Sequence, residues 1–474
     1  MDRQAQENVT SGEAPAPPAA ARRSLTRRRA LRYGLAGAAG AAGAWWLGSR
    51  LLHVGRRLVE VEAPATGPAG GAAPAALPSA EVFKGGAPSR EDFERWRARG
   101  WARPARHCTE LGRNVRCGLC PNRCLLEPGD RGRCRNRVNM GGKLFTLAYG
   151  NPCAFNMDPI EKKPLLHFLP GTWSFSIATS GCCFRCLNCQ NWDISQAFPE
   201  QTKDPRGPEM RLTAQGLFNA QVREYTASLS VFPEDVAAIA DYYRRNPIHA
   251  DHPQLRCGSV SYTYSEPTVF FEYMTDSARL VRAKGLKNVW VTCGSIQPEP
   301  LEELCGVIDA ANVDLKSFDE GIYRRLNSGS LRPILDCLVA LKRRGVWFEV
   351  TNLVVPTYTD RPDMIARMCG WLVENIGPDY PLHFSRFHPQ HKLRNLPWTA
   401  ADVLVEAREI ARKAGLHHVY IGNIRGVEDA ETTFCPSCKR PVVLREGFLV
   451  KRLEVTAAGK CRHCGGHVAG VWST

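Results

Sequence analysis

Three cysteines crowd into a short stretch at Cys182, Cys186 and Cys189, within the run from Ser180 to Trp192 that reads SGCCFRCLNCQNW. The spacing C-x3-C-x2-C places three thiolates on one tight loop, close enough to cap three corners of a cubic [4Fe-4S] cluster, whose irons favour thiolate sulfur. The fourth iron is then left without a protein ligand, and an open coordination position is where a catalytic metal site takes its substrate. A zinc or electron-transfer cysteine group is the competing reading. Such a closed site wants a fourth protein ligand, and Cys183 is poorly placed to be it, because its side chain points away from its neighbour's.

The chain holds nineteen cysteines, grouped as C-x2-C and C-x3-C-x2-C sets in 474 residues. That grouping in so long a chain argues for metal binding and against a secreted disulfide scaffold. Cys117, Cys120, Cys124 and Cys134, set among Pro128, Gly129 and Gly132, supply four thiolates for a zinc site or an auxiliary cluster, with unpaired thiols as the plain alternative. Near the end, Cys435, Cys438, Cys461 and Cys464 form two C-x2-C knuckles around a hairpin, the pattern of a zinc-ribbon-like module with a structural role. The formal charge of +15 permits nucleic acid or an acidic membrane face as partner. Much of the excess is local, at Arg22, Arg23, Arg27, Arg28, Arg29 and Arg32, so nucleic acid is disfavoured.

Five segments follow from composition. Residues 1–62 read as a disordered Pro/Ala-rich tail and then a basic motif, Thr26 to Arg32, before the apolar run Tyr33 to Gly48. This resembles a twin-arginine export signal or an uncleaved anchor, so the expected location is membrane-associated or cytoplasmic, with twin-arginine export as the alternative. Residues 63–88 read as an Ala/Pro/Gly linker, 89–173 as a Cys-rich module, 174–428 as the core and 429–474 as the ribbon.

The core alternates short β-favouring runs with amphipathic stretches, the signature of parallel βαβ units that wind into an α/β partial or full barrel. The predicted strands are Ser174 to Thr179, Ser259 to Tyr264, Asn288 to Val291, Asn312 to Leu315, Trp347 to Val355, Leu382 to Phe387 and His418 to Ile421. Val403, Leu404, Ala407, Ile410, Ala411 and Ala414 share one helical face, and Leu331, Ile334, Leu335, Leu338 and Leu341 another, behind a Ser330 cap. Ala197 to Met210 reads as an inserted surface loop, and His167 as a packed or hydrogen-bonded histidine. The cysteine loop follows the first strand, where a barrel presents its chemistry.

The cysteine loop resembles that of the radical S-adenosylmethionine enzymes. With Asp158-Pro-Ile-Glu-Lys-Lys-Pro164, Cys189-Gln-Asn-Trp192, Thr263-Tyr-Ser-Glu-Pro267, Val313-Asp-Leu-Lys316 and the terminal knuckles, the stretch from Cys117 to Trp472 looks like the radical enzyme of the AmmeMemoRadiSam group, related to pyruvate formate-lyase activating enzymes. The resemblance implies a [4Fe-4S] cluster whose open iron chelates S-adenosylmethionine, a low-potential electron donor, and hydrogen abstraction from a peptide or protein substrate. It implies that Glu266 helps hold the amino group of S-adenosylmethionine, where a carboxylate suits an ammonium. Asp314 and Lys316 would contact the cofactor or an associated cation, and Asn352 and His388 would reach cofactor or substrate. Read alone, Glu266 is equally a solvent-facing acid, Asp314 and Lys316 a surface ion pair, and His388 a packed histidine beside Pro389. Two positions depart from the relatives: Asn188 replaces an aromatic, and Val291-Thr-Cys-Gly294 lacks an asparagine before the glycine. The rival functions are a dedicated glycyl-radical activase and a non-catalytic iron-sulfur electron carrier.

Overall fold

The wall that carries the cysteine loop is an eight-stranded sheet whose strands lie side by side in sequence order: β1 (Ala154–Pro159), β2 (Trp173–Ala178), β3 (Cys257–Tyr262), β4 (Lys287–Thr292), β5 (Ala310–Asp314), β6 (Trp347–Val354), β7 (Leu382–Arg386) and β8 (Val419–Gly422). The structure is a computed structural model that describes residues 85–217 and 226–473. All of these lie in one unit, Ser79–Thr474. The tail and twin-arginine-like segment, and the linker up to residue 84, lie outside the described residues. Among the described residues no helix is long and apolar enough to cross a membrane.

Strands β2 to β8 pair in parallel, and β1 joins β2 antiparallel. Each parallel step is bridged by a helix: α1 (Pro233–Arg245), α2 (Phe271–Ala283), α3 (Pro298–Cys305), α4 (Arg332–Arg343), α5 (Pro362–Asn375) and α6 (Ala401–Lys413). The strand order has two free ends, so the wall is a partial barrel. All seven predicted strands are present within a residue or two at each end. Strand β1 is the addition, and its alternation of Phe155 and Met157 was hidden in a loop-rich stretch ended by Pro159.

Period-two alternation divides the strands between two environments. Phe175, Ile177, Val260, Tyr262 and Trp290 join the core shared with the helices. Ser174 and Ser261, whose hydroxyls lie 2.6 Å apart, and Asn312 and Thr351, bonded at 3.0 Å, face the lumen. On α4, Ile334, Cys337, Leu338 and Leu341 are buried, each leucine or isoleucine worth about 2 kcal/mol. Ser330 is not its cap. The helix starts after Leu331, whose N–H is taken by Glu320 Oε2 at 2.8 Å, and Pro333 in the first turn has no N–H to satisfy.

The lumen is closed from below by Leu165 to Leu169. Glu349 accepts the backbone N–H of Leu166 at 3.0 Å and of His167 at 2.7 Å, and lies 2.6 Å from His383 Nε2. The His167 ring lies 2.6 Å from both Tyr420 Oη and the Ala469 carbonyl. Val471 N–H donates to His167 O and Leu169 N–H to Val471 O, both at 2.7 Å. The final residues of the ribbon are thereby stitched to the floor of the barrel.

The Cys-rich module packs a five-stranded and a three-stranded sheet. Its hairpin Arg137–Met140/Lys143–Thr146 turns at Gly141-Gly142, both at positive φ, as a tight two-residue turn demands. Gly85–Gly86 pairs with Asp130–Arg131 in the larger sheet. The stretch Ala197 to Met210 is a surface loop only in part. It carries a helical turn, Pro199–Thr202, and buries Lys203, whose Nζ donates to the carbonyls of Pro152 (3.1 Å), Thr226 (2.6 Å) and Leu229 (2.6 Å). The polar composition was misleading because three carbonyls replace water around one ammonium. The ribbon is a three-stranded sheet with its own small core of Val442, Val443, Val455, Val468 and Trp472.

Candidate radical site at the mouth of the barrel

The loop after β2 is held from several sides. Gly181 N–H donates to Ile194 O at 2.9 Å, Arg185 N–H to Asn327 O at 3.0 Å and Leu187 N–H to Leu326 O at 2.8 Å. Asn191 Nδ2 donates to Tyr264 O at 2.6 Å, and Gln390 Nε2 to Gln190 O at 2.9 Å. Gly181 sits at φ +93°, and a Cβ there would lie 2.4 Å from Cys134 O, so no larger residue fits.

The structure brings Cys182, Cys186 and Cys189 together on this loop, partly exposed at the carboxyl rim of the sheet. Cys182 Sγ accepts the Phe184 N–H at 3.3 Å, and Cys189 Sγ lies 3.1 Å from Ser195 Oγ. Burial pushes the Cys186 thiol up to about 12 and that of Cys189 up to about 11. Thiolates in such a place need a cationic centre to balance them, which three sulfurs around an iron cluster obtain.

Asp314 and Lys316 stand beside the loop. Lys316 Nζ donates to Asp314 Oδ2 at 2.7 Å. Burial alone would lower that ammonium, but Asp314 and the thiols of Cys186 and Cys293 hold it well above the usual lysine range. His388 Nε2 lies 2.6 Å from Gln390 Oε1, the residue that also grips the cysteine loop. Glu266 is buried and fully engaged: Oε1 accepts Thr268 N–H (3.0 Å), Thr268 Oγ1 (2.7 Å) and Thr292 Oγ1 (2.7 Å), and Oε2 accepts Cys293 N–H (2.8 Å). Asn352 lies on β6 between lumen-facing Thr351 and Leu353, so alternation turns it toward the helices. Its Nδ2 donates to Leu315 O at 2.7 Å.

A buried acceptor beside Cys189 fits a bound molecule with donor groups. Among the described residues, Asn188 Oδ1 and Asn352 Oδ1 have no hydrogen-bond partner, and Asn188 adjoins Cys189. An unmade bond of that kind costs about 1–3 kcal/mol and is commonly made good by a ligand or water.

Below the loop the lumen holds a charged group that sequence reasoning quoted as a motif without assigning a role. Asp158 accepts Lys162 Nζ at 2.8 Å, Lys163 Nζ at 2.6 Å and the Tyr264 hydroxyl. Burial opposes the charge on Asp158, yet the two lysines keep it well below the usual carboxylate range; burial pushes Lys163 down to about 8. Tyr264, at φ +62°, is the backbone signal of this arrangement.

Ten of the remaining cysteines form three groups. Cys435, Cys438, Cys461 and Cys464 place their sulfurs within 4.8 Å of one another, a set that could hold a metal ion. Cys117, Cys120, Cys124 and Cys134 line one enclosed cavity with Leu119 and Val269. Cys183, the poor fourth ligand, faces Cys293 at 4.0 Å, with Glu266 completing the group.

The Radical SAM superfamily model matches residues 176–369. An uncharacterized protein of Methanocaldococcus jannaschii is 39% identical over 352 residues, covering 74% of this chain and 94% of that protein. The pyruvate formate-lyase-activating enzyme of Clostridium pasteurianum is 22% identical over 160 residues, 33% of this chain and 66% of that enzyme. A solved domain of the activating enzyme from Bacteroides vulgatus overlays with a TM-score of 0.32 at 17% identity, covering 35% of this chain and 99% of that domain. The parallel wall, the cysteine loop at its mouth and the match across both make this chain a member of the radical SAM superfamily.

Proposed function

We propose that the protein is an oxidoreductase-like radical enzyme of the AmmeMemoRadiSam group that acts on a peptide or protein. The observation that carries this reading is the trio Cys182, Cys186 and Cys189 on a loop pinned to the barrel mouth, with Lys316 against it. These three thiolates would hold a [4Fe-4S] cluster. With S-adenosylmethionine bound, that cluster supplies reductive cleavage of the sulfonium and a hydrogen-abstracting radical. Asn188 offers an acceptor oxygen to the cofactor's donors. Lys316 offsets the negative charge of the thiolates, while the Asp314 carboxylate keeps that ammonium charged. Lys162 and Lys163 present donors into the lumen, where a peptide carbonyl or carboxylate would be oriented. The floor built from Leu165 to Leu169 excludes water from below, which protects a reactive intermediate.

A dedicated glycyl-radical activase is the narrower form of the same reading, favoured by the likeness to an activating enzyme. The ribbon cysteines are read as a structural zinc site, since sulfurs so close together suit a single tetrahedral ion. The amino-terminal segment is read as a membrane-associating signal with catalysis at the cytoplasmic side; recovery of the mature chain free in the periplasm would reject this.

The test is anaerobic reconstitution followed by dithionite and S-adenosylmethionine. The protein should release 5'-deoxyadenosine, and Cys182→Ala should abolish it. No 5'-deoxyadenosine, together with a paramagnetic signal indifferent to S-adenosylmethionine, rejects the enzyme in favour of an electron carrier. A glycine-centred radical in a co-purified partner would select the activase.

A further inference from the structure

The cavity lined by Cys117, Cys120, Cys124 and Cys134 lies directly against the cysteine loop. Asn136 Nδ2 donates to Ser180 O at 2.7 Å, and Asn122 Nδ2 to Cys183 O at 3.1 Å. Cys134 O meets Gly181, the residue before Cys182, so closely that only a glycine passes. The Cys120 thiol is hydrogen-bonded to that of Cys183, the residue after Cys182. The second cysteine group therefore touches the first through the backbone on both sides of one ligand.

Sulfur spacing separates the metals that four thiolates can hold. Zinc–thiolate bonds of about 2.3 Å in a tetrahedron put the sulfurs about 3.8 Å apart. The thiolates of a cubane cluster bind at its four outer corners and stand further apart. The ribbon sulfurs all lie within 4.8 Å of one another, whereas those of the Cys117 group do not, and neither do those of Cys182, Cys186 and Cys189. The Cys117 group, like the loop trio, thus departs from the ribbon's close convergence. The wall is apolar at Leu119 and Val269, and Arg137 Nη1 donates to Cys117 Sγ at 3.6 Å. A buried cation bonded to a ligating sulfur stabilises the more negative, reduced form of an iron-sulfur centre.

We propose that Cys117, Cys120, Cys124 and Cys134 hold a second [4Fe-4S] cluster, closed by four protein ligands, which delivers electrons one at a time to the open cluster on Cys182, Cys186 and Cys189. A low-potential one-electron donor reduces the second cluster from the 2+ to the 1+ state. That electron passes on, returning the second cluster to 2+ and taking the first from 2+ to 1+, with no proton or bond change. Occupancy by iron stands independently of the proposed function; the destination of the electron rests on it.

The experiment uses the full chain reconstituted anaerobically with iron-57 and sulfide. Wild type is expected to carry about eight irons per chain as two cubanes. The triple variant Cys182→Ala/Cys186→Ala/Cys189→Ala should keep about four, in a Mössbauer spectrum of [4Fe-4S] 2+ that S-adenosylmethionine leaves unchanged. The triple variant Cys117→Ser/Cys124→Ser/Cys134→Ser should keep a cluster that S-adenosylmethionine shifts. Its reduction by flavodoxin hydroquinone in stopped flow should be at least about tenfold slower, as expected when an entry route for electrons is lost. Iron-free Cys182/Cys186/Cys189 variant with a zinc content above that of the ribbon alone overturns the cluster. Equal reduction rates overturn the relay and leave the cluster. Should the Cys117-group variant fail to fold, the fully reduced wild type decides the relay: two magnetically coupled signals support it, and two uncoupled signals overturn it. Iron retained in the other variant without 5'-deoxyadenosine formation by wild type would reject the proposed function alone.

Discussion

The ribbon and the Cys-rich module each bring four cysteines together, and both begin from a C-x2-C knuckle, yet they build different cages. In the ribbon the knuckles sit on one small sheet with its own core, Cys461 N–H donates to Gly466 O at 2.8 Å, and all four sulfurs converge. In the module, Cys117 ends a strand, Cys120 and Cys124 follow on the next turn, and Cys134 comes from a different sheet. Ligands drawn from two sheets around a cavity stay apart. The difference teaches that sheet geometry, more than the spacing of cysteines in sequence, decides how large a centre a knuckle can accept.

The strongest way to break this comparison is Cys435→Ser/Cys438→Ser. Structural zinc in small domains contributes apparent binding energies of about 10–16 kcal/mol, so this variant should lose its zinc and the hydrogen-exchange protection of residues 433–472 while keeping all of its iron. Loss of iron in step with zinc would merge the two cages into one system. Next in size, Arg137→Met removes the partner of buried Glu272, to which Arg137 Nη2 donates at 2.5 Å. A cost of about 3–5 kcal/mol in urea unfolding is expected, with the hydrogen-exchange protection of residues 433–472 unchanged. Gly181→Ala strains a left-handed position and drives a methyl into Cys134 O. Together these cost about 3 kcal/mol, measurable as a lower urea midpoint and easier loss of iron from the reconstituted protein.

A further effect, read out in acid, belongs to the start of β8. Burial pushes His418 down to about 4, beside His167 at a ring distance of 4.4 Å. Its folded value lies below the unfolded one of about 6.5, so its stabilising contribution is present above that pH and is lost as pH falls toward 4, at up to about 1.4 kcal/mol per unit. His418→Asn should flatten the pH dependence of unfolding across that window. An unchanged slope would assign the acid sensitivity to other groups.

Much of the fold could be read from the chain because strands in a singly wound wall are short, β-branched and separated by helices with clear apolar stripes. The cysteine loop after β2 was legible from its spacing and from the strand before it. What escaped reading was set by partners distant in sequence. Glu266, read alone, is equally a solvent-facing acid, yet it is buried, with Thr292 and Cys293 bonded to its carboxylate. Lys203 looks like surface until three carbonyls close on it. Ser330 looks like a cap, but Glu320 from an earlier turn does that service one residue later. The lumen group of Asp158, Lys162, Lys163 and Tyr264 joins residues whose common location depends on β1, the strand that periodicity alone did not disclose.

The contact between His167 and Ala469 joins positions 302 apart in the chain. Closing so long a loop costs little more free energy than closing one of half the length, since the cost grows only logarithmically, but contacts this remote slow assembly. During synthesis the keystone of the barrel's base is supplied by residues made 302 positions after the segment they lock. Until they arrive, every helix and strand of the wall can be in place while the interior still drains from below.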